Sequence, residues 1–503
     1  MPLTVSTKCP SCGGGLEFEE GTTSVQCRYC GSSHVVTGHG RVLSYYIPDK
    51  IPADIAVAHA LMRLKEDGQE GFRAMEATLF FVPFYRFVGQ ALCWEAVKQE
   101  ARDGERPKHF LMTEVRASVF GGFGGMVLDD ILEEALGGTA PVPSGIKEVE
   151  YEFSGRRIDR SMPAVDAPGL GMASLGIKPE VLKLSLFDKD AVAKRGRIVP
   201  VTAPYAEKER FGFKMEGEGQ MAAKALFDKS ASIIYYPLWV VEVARGVGGE
   251  DGRFLAVVDG VSGEVARKDA PVTLLDALLA KDGHEYSVLG LRPLKCPNCA
   301  TDLPVKPNDL VFFCGGCRKA WYISGEEFIG VPYRTVPPVI KKDMPPEYFP
   351  FWVVRAKAVS GTLTVDNKYD IVKLAPGTSL VREQDKDIPL RFFVPAFRIG
   401  NLKSLERLSA AFTRNQPVIG EGEEKSVSEP RGCALSPEDA LAIAPLVIFS
   451  IVPKGNNRAL AFAREANVEV MGAELVLFPF FPGRMEYTDG LYGWALPSGA
   501  IRE

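Results

Sequence analysis

The sequence predicts an α+β, multidomain protein in which two small cysteine-stapled modules are each followed by an antiparallel β-rich domain with packed helices. Three observations predict it. The pattern C-x-x-C, fourteen residues, C-x-x-C occurs twice, as Cys9, Cys12, Cys27 and Cys30 and again as Cys296, Cys299, Cys314 and Cys317. A Pro-aromatic motif recurs five times outside these modules, among residues of high strand propensity. The 503 residues, 46% hydrophobic and 24% charged, suffice for about three domains with their own cores.

The cysteine modules come first in each half. A C-x-x-C turn is tight enough to aim its backbone N–H groups at its sulfurs, and two such turns supply the four thiolates of a tetrahedral metal site. Fourteen intervening residues allow a short hairpin back to the metal. The expected strands are Leu16-Glu17-Phe18 and Ser24-Val25-Gln26 in the first copy, and residues 309–313 and 320–323 in the second. Gly13, Gly31, Gly315 and Gly316 stand beside the cysteines and ease the turns. Zinc is expected ahead of rubredoxin-type iron, a redox dithiol or disulfides. A redox C-x-x-C usually occurs singly beside a βαβ pattern, and disulfides need an oxidising compartment, whereas residues 1–6 carry no signal-peptide pattern.

Both modules resemble the rubredoxin-like zinc ribbons common in transcription and translation factors and in bacterial adaptor proteins, over about forty residues each. The resemblance implies that Cys9, Cys12, Cys27, Cys30, Cys296, Cys299, Cys314 and Cys317 are ligands of two structural Zn2+ ions. A catalytic zinc keeps its fourth position open, and here cysteine fills it. His34, close to Cys30, is redundant beside four thiols.

The copies of the second motif are Val82-Pro83-Phe84-Tyr85, Tyr236-Pro237-Leu238-Trp239, Phe349-Pro350-Phe351-Trp352, Val394-Pro395-Ala396-Phe397 and Phe478-Pro479-Phe480-Phe481. Tyr236-Pro-Leu-Trp-Val-Val-Glu-Val and Phe349-Pro-Phe-Trp-Val-Val-Arg-Ala are the most alike. Proline is tolerated where a strand begins or lies at an edge, so each copy reads as the start of a core strand. Two copies should continue into meanders, one through residues 253–259 and 264–268 and one through a Ser360-Gly361 turn into 362–366. Helices are expected at 55–65 after an Asp54 cap, at 221–229, at 403–414, and after Ser436-Pro437-Glu438-Asp439. The resulting division is ribbon 1 at 1–40, an α+β domain with Gly-rich insertions at 41–270 and a connecting helix at 271–289. Ribbon 2 follows at 290–332, a β-rich domain at 333–415, a mobile acidic linker at 416–432 and a C-terminal α/β segment at 433–503. Uneven motif spacing rules out a solenoid and suggests internal duplication.

Composition and missing motifs narrow the function. No apolar run reaches the length of a membrane span. The formal charge of −5 becomes about −9 once each Zn2+ is held by four thiolates, which speaks against a nucleic-acid binder. Only the second ribbon is locally basic, through Lys295, Lys306, Arg318 and Lys319 beside Trp321. Five histidines stand outside H-E-x-x-H and G-x-S-x-G patterns, and no phosphate-loop or dinucleotide fingerprint is present. Cys93 and Cys433 read as small buried hydrophobes. The Gly-rich stretches 119–127, with a helix expected at 129–136, and 168–176 read either as docking surfaces or as loops over their own domain. The expectation is a cytoplasmic, non-catalytic adaptor or assembly subunit for protein partners, with room for peripheral membrane contact and for a homo-oligomer. It is similar to uncharacterised bacterial zinc-ribbon adaptor proteins, which combine an N-terminal ribbon with Pro-aromatic β-domains and in part accompany membrane-remodelling or stress systems. Nucleic-acid binding through the second ribbon and an enzyme of unrecognised type are the alternatives.

Overall fold

The computed structural model describes residues 3–38, 41–68, 71–97, 150–175, 183–215, 221–245, 252–279, 283–284, 288–374, 382–420, 429–452 and 456–501. The fold is mixed α/β, and strands dominate it. In the first half run β1 (Thr4–Lys8), β2 (Gly15–Glu19), β3 (Ser24–Gln26), β4 (Ser33–Thr37), β5 (Leu43–Tyr46), α1 (Ala53–Glu66), β6 (Phe72–Val97) and β7 (Glu150–Pro163). There follow β8 (Lys183–Leu186), α2 (Lys189–Ala193), β9 (Arg197–Ile198), α3 (Tyr205–Gly212), β10 (Met221–Arg245), β11 (Phe254–Asp259), β12 (Val265–Ala270) and α4 (Leu274–Leu278). The second half opens with β13 (Gly290–Pro293), β14 (Val311–Phe313), β15 (Ala320–Ser324), β16 (Glu327–Val331), β17 (Tyr333–Thr335), β18 (Glu347–Ser360), β19 (Leu363–Val365) and α5 (Lys368–Leu374). It closes with β20 (Arg391–Pro395), α6 (Leu402–Asn415), α7 (Pro437–Ile443), α8 (Val447–Ile451), α9 (Asn457–Glu465), β21 (Asn467–Pro482), β22 (Glu486–Asp489) and β23 (Ala495–Pro497).

Each half is built on one pair of long antiparallel strands, β6 with β10 and β18 with β21. The free edge of β10 takes β5 in parallel and then β11 antiparallel, and the free edge of β21 takes β17 and then β22 in the same manner. Tyr236 lies opposite Val82, and Phe478 lies opposite Phe349. Asp259-Gly260-Val261-Ser262-Gly263 and Asp489-Gly490-Leu491-Tyr492-Gly493 turn the two hairpins, the Gly260 and Gly490 N–H groups donating to Pro237 and Pro479. The two halves are therefore one plan used twice. The two motif copies most alike in sequence, at Tyr236 and Phe349, are not the structural counterparts; Tyr236 corresponds to Phe478 and Val82 to Phe349.

The prolines explain how this plan is kept. Contrary to the expectation from the sequence, they do not start strands; Pro83, Pro237, Pro350 and Pro479 lie within strands and Pro395 ends one. Pro237 falls between the stretch of β10 paired with β5 and the stretch paired with β11. Pro479 falls likewise between β17 and β22, and Pro83 between β7 and β9. A strand that changes partner at one residue has no ladder acceptor for that N–H, so proline costs nothing there.

These strands are buried on both faces, which makes their sequences continuous apolar runs. Phe80, Val82 and Phe84 enter one core while Phe81, Tyr85 and Phe87 enter another. In the second half Phe349, Phe351 and Val353 face one core and Trp352, Val354 and Ala356 the other. Residues 221–229, expected as a helix, belong to β10, where pairing with β6 overrides helical spacing. Helix α1 lacks the expected Asp54 cap; its N-cap is Pro52, and Ala56, Ala60 and Leu64 pack on β10 and β11. Helices α6 and α7 carry the side-chain caps Asn401 and Ser436.

The stretch 168–175 folds over its own domain, with Leu170 and Leu175 buried and Gly171 at φ +79 against Ala266 and Arg267. The stretch 119–127 and the helix expected at 129–136 lie outside the described residues. The ends of the expected acidic linker are packed: Gln416 bonds Arg391, and Arg431 pairs with Glu347. Residues 421–428 lie outside the described residues.

Candidate metal centres

The structure brings the eight predicted cysteines together as two groups of four, the sulfurs of each within 4.8 Å of one another. In the first, Cys9 and Cys30 sulfurs are 3.8 Å apart, as are those of Cys12 and Cys27. In the second, the Cys296–Cys317 and Cys299–Cys314 separations are 3.5 Å. A tetrahedron with metal–sulfur bonds of about 2.3 Å has edges of about 3.8 Å, so both groups fit one ion held by four thiolates.

All four C-x-x-C turns share one backbone design. The first cysteine's N–H donates to the carbonyl five residues on (Gly14, Ser32, Thr301 and Lys319), and its carbonyl accepts from the N–H four residues on. That last residue is left-handed in every turn: Gly13 at φ +75, Gly31 at +72, Ala300 at +59 and Arg318 at +60. The first ribbon thus uses glycine where φ is positive, as anticipated. In the second ribbon Gly315 and Gly316 do not hold that position, and Ala300 and Arg318 take the strain. Gly316 serves close approach instead, since a Cβ there would lie 2.9 Å from Thr301 Oγ1.

A hydroxyl two residues past a ligand was not anticipated at either centre. Ser32 Oγ lies 3.0 Å from Cys30 Sγ, and Thr301 Oγ1 lies 3.3 Å from Cys299 Sγ. The Ser32 hydroxyl and then its backbone N–H hold the Cys30 thiol below its usual range. Thr301 does the same for Cys299, lowering it to about 6. Cys-x-Ser and Cys-x-Thr in the sequence were the available signal. Beside the first centre His34 is buried, its Nε2 2.8 Å from Ser32 Oγ and 3.5 Å from Cys9 Sγ.

The two ribbons touch. The Thr23 N–H donates to the Pro307 carbonyl, the Lys306 N–H donates to Ser24 Oγ, and Val35 of β4 enters the core of the second ribbon. Strand β13, which leads into the second ribbon, pairs with β4 of the first. Strand β1 of the first ribbon also joins the large sheet through β8, and the second ribbon is tied down where Leu310 N–H donates to Cys433.

No family model matches the chain, and no curated protein and no solved structure matches it. The remaining predicted residues are read from the geometry alone. Lys319 bonds Asn298, Lys306 bonds the Pro430 carbonyl, Lys295 lies 4.0 Å from Asp302, and Trp321 packs against the ribbon core. Lys295, Arg318 and Lys319 are exposed, and Lys306 is half-buried. Cys93 and Cys433 are buried, and burial pushes both thiols up. Among the described residues no helix is long and apolar enough to cross a membrane.

Proposed function

We propose that this chain is a non-catalytic scaffold, an adaptor or assembly subunit whose fold is stapled by two structural zinc ions and whose work is to bind other proteins. One observation carries the reading: in each group four cysteine sulfurs lie close enough together to fill every position around one tetrahedral ion, which would leave none for substrate or water. Zinc suits such a set because it needs only four thiolates, and in comparable peptides it contributes about 10–16 kcal/mol of folding free energy. The net negative charge of the chain supports protein rather than nucleic acid as partner. Eight thiols kept as metal ligands suit the reducing cytoplasm.

Two zinc ions per chain are expected in protein purified without chelator, with no thiolate-to-iron charge-transfer colour; a zinc content near zero sinks the metal assignment. The functional test is gentle affinity purification from the native host, with and without nuclease. A stoichiometric protein partner that survives nuclease supports the scaffold. Nuclease-sensitive nucleic acid as the sole companion, or lipid as the sole companion, overturns it.

A further inference from the structure

The outer end of the second sheet carries an arginine cluster that the scaffold does not need. Arg355 of β18 lies directly opposite Arg391 of β20, which places the two side chains on one face. Like charges so placed repel, because directly opposed Cβ atoms are about 4.5–5.5 Å apart. Arg334 of β17 shares this face, being paired with Val476 two residues beyond Glu474 on β21. Glu474 is the one carboxylate in the group, and it is 3.5 Å from Arg334. Among the described residues neither Arg355 nor Arg391 has an ion-pair partner, and Arg391 Nε is buried without a hydrogen bond. Burial lowers the proton affinity of Arg391, with Glu474 opposing it and Arg355 and Arg334 adding to it.

The first half shows how the same plan neutralises a buried arginine. Arg86 of β6 lies opposite Ser232 of β10, in the register that Val353 and Glu474 occupy in the second half. It is fully buried, and it is met by Glu20 and by a bidentate Asp159 at 2.9 Å, with Ser232 donating to Glu20. Two carboxylates meet Arg86 there, Asp159 being shared with Arg157, whereas Glu474 alone stands among three guanidiniums in the second half. Space for a missing anion exists: opposite Arg355 stands Gly472, at φ +142 beside a register shift, and a Cβ at Gly472 would meet nothing within 4 Å. Bulges and bare glycines of this kind recur where a sheet admits a ligand.

We propose that Arg334, Arg355 and Arg391 form an anion site for a phosphate monoester, with Gly472 leaving room for it. Three guanidiniums less one carboxylate leave a charge of about +2, which matches the −1.5 to −2 of a monoester near pH 7. Guanidinium forks fit its terminal oxygens, and the half-buried position of Arg391 strengthens the bond it makes.

The test titrates inorganic phosphate into the metal-loaded full chain in phosphate-free buffer, followed by calorimetry. Saturable binding at one site is expected. Arg355→Gln, at an exposed position, should weaken it at least about tenfold without lowering the melting temperature in the absence of phosphate, since it also relieves the repulsion with Arg391, and Arg391→Gln should weaken binding likewise if it folds. Glu474→Gln should tighten binding, an effect that a purely structural role for the carboxylate would not produce. Sedimentation with phosphatidylcholine vesicles containing phosphatidic acid separates the sources: pelleting lost in Arg355→Gln assigns a lipid headgroup, and phosphate binding without pelleting assigns a soluble monoester. The site is overturned if wild type shows no saturable binding up to about 10 mM phosphate, or if Arg355→Gln binds as tightly as wild type.

Discussion

At Gly13 the backbone sits at φ +75 with open space around its Cα, so a side chain there meets strain and no clash. Gly13→Ala should cost about 1 kcal/mol, from a left-handed penalty of about 1–2 kcal/mol partly offset in the unfolded chain. Ala300→Gly, at the matching turn of the second ribbon, should move stability the other way. Urea unfolding of the metal-loaded protein measures both. Asp309 supplies a pH dependence. Burial raises its carboxyl to about 6 against the pull of Lys306, and one carboxylate oxygen has no hydrogen-bond partner. Because the folded value lies above the unfolded one, this group's contribution is fully present below pH 4 and is lost as pH rises through about 6. Asp309→Asn should therefore stabilise the protein at pH 7, by an amount on the order of 2 kcal/mol, and lose that advantage near pH 4. Equal melting temperatures for the two proteins at pH 7 would refute this.

Among elements, the β18–β21 pair sets the stability of the second half. Phe351 is fully buried, with Phe412, Phe478 and Phe397 rings at 4.9, 5.1 and 5.9 Å. Phe351→Ala should cost about 3–5 kcal/mol, through lost transfer energy and a cavity that rigid neighbouring strands cannot close. Met485→Ala, at a side chain 77% exposed, should stay within about 0.5 kcal/mol. Denaturant midpoints decide the contrast. The strand prolines belong to this scale as well. Their residue type was plain in the sequence, and their place inside strands follows from a change of pairing partner that no local pattern records.

The whole molecule is more interlocked than a chain of independent modules. Trp94 and Leu92 from β6 sit in the core of the second half, Trp94 stacking on Phe449 at 6.0 Å. Each ribbon supplies part of the other's packing, so loss of one metal should be felt at both. Cys296→Ser should speed amide exchange at Thr23, whose N–H is held by the Pro307 carbonyl of the second ribbon. Unchanged protection at Thr23 in that variant would mean that the ribbons are energetically separate.

The sequence by itself determined the two four-cysteine groups, because tetrahedral thiolate binding demands a fixed number of ligands at fixed spacing, and both groups form as the spacing implies. It also determined the hairpin around residues 254–270 and the Ser436-capped start of α7, because turn and cap chemistry is local, and it placed α6 through its apolar spacing. Tertiary structure alone decided the rest. It made residues 221–229 a strand, matched Tyr236 to Phe478 rather than to Phe349, set Ser32 and Thr301 against the sulfurs and lined Arg355 up with Arg391. Each of these depends on register between segments far apart in sequence. Register is fixed by which faces can be buried together, and no single segment carries that information.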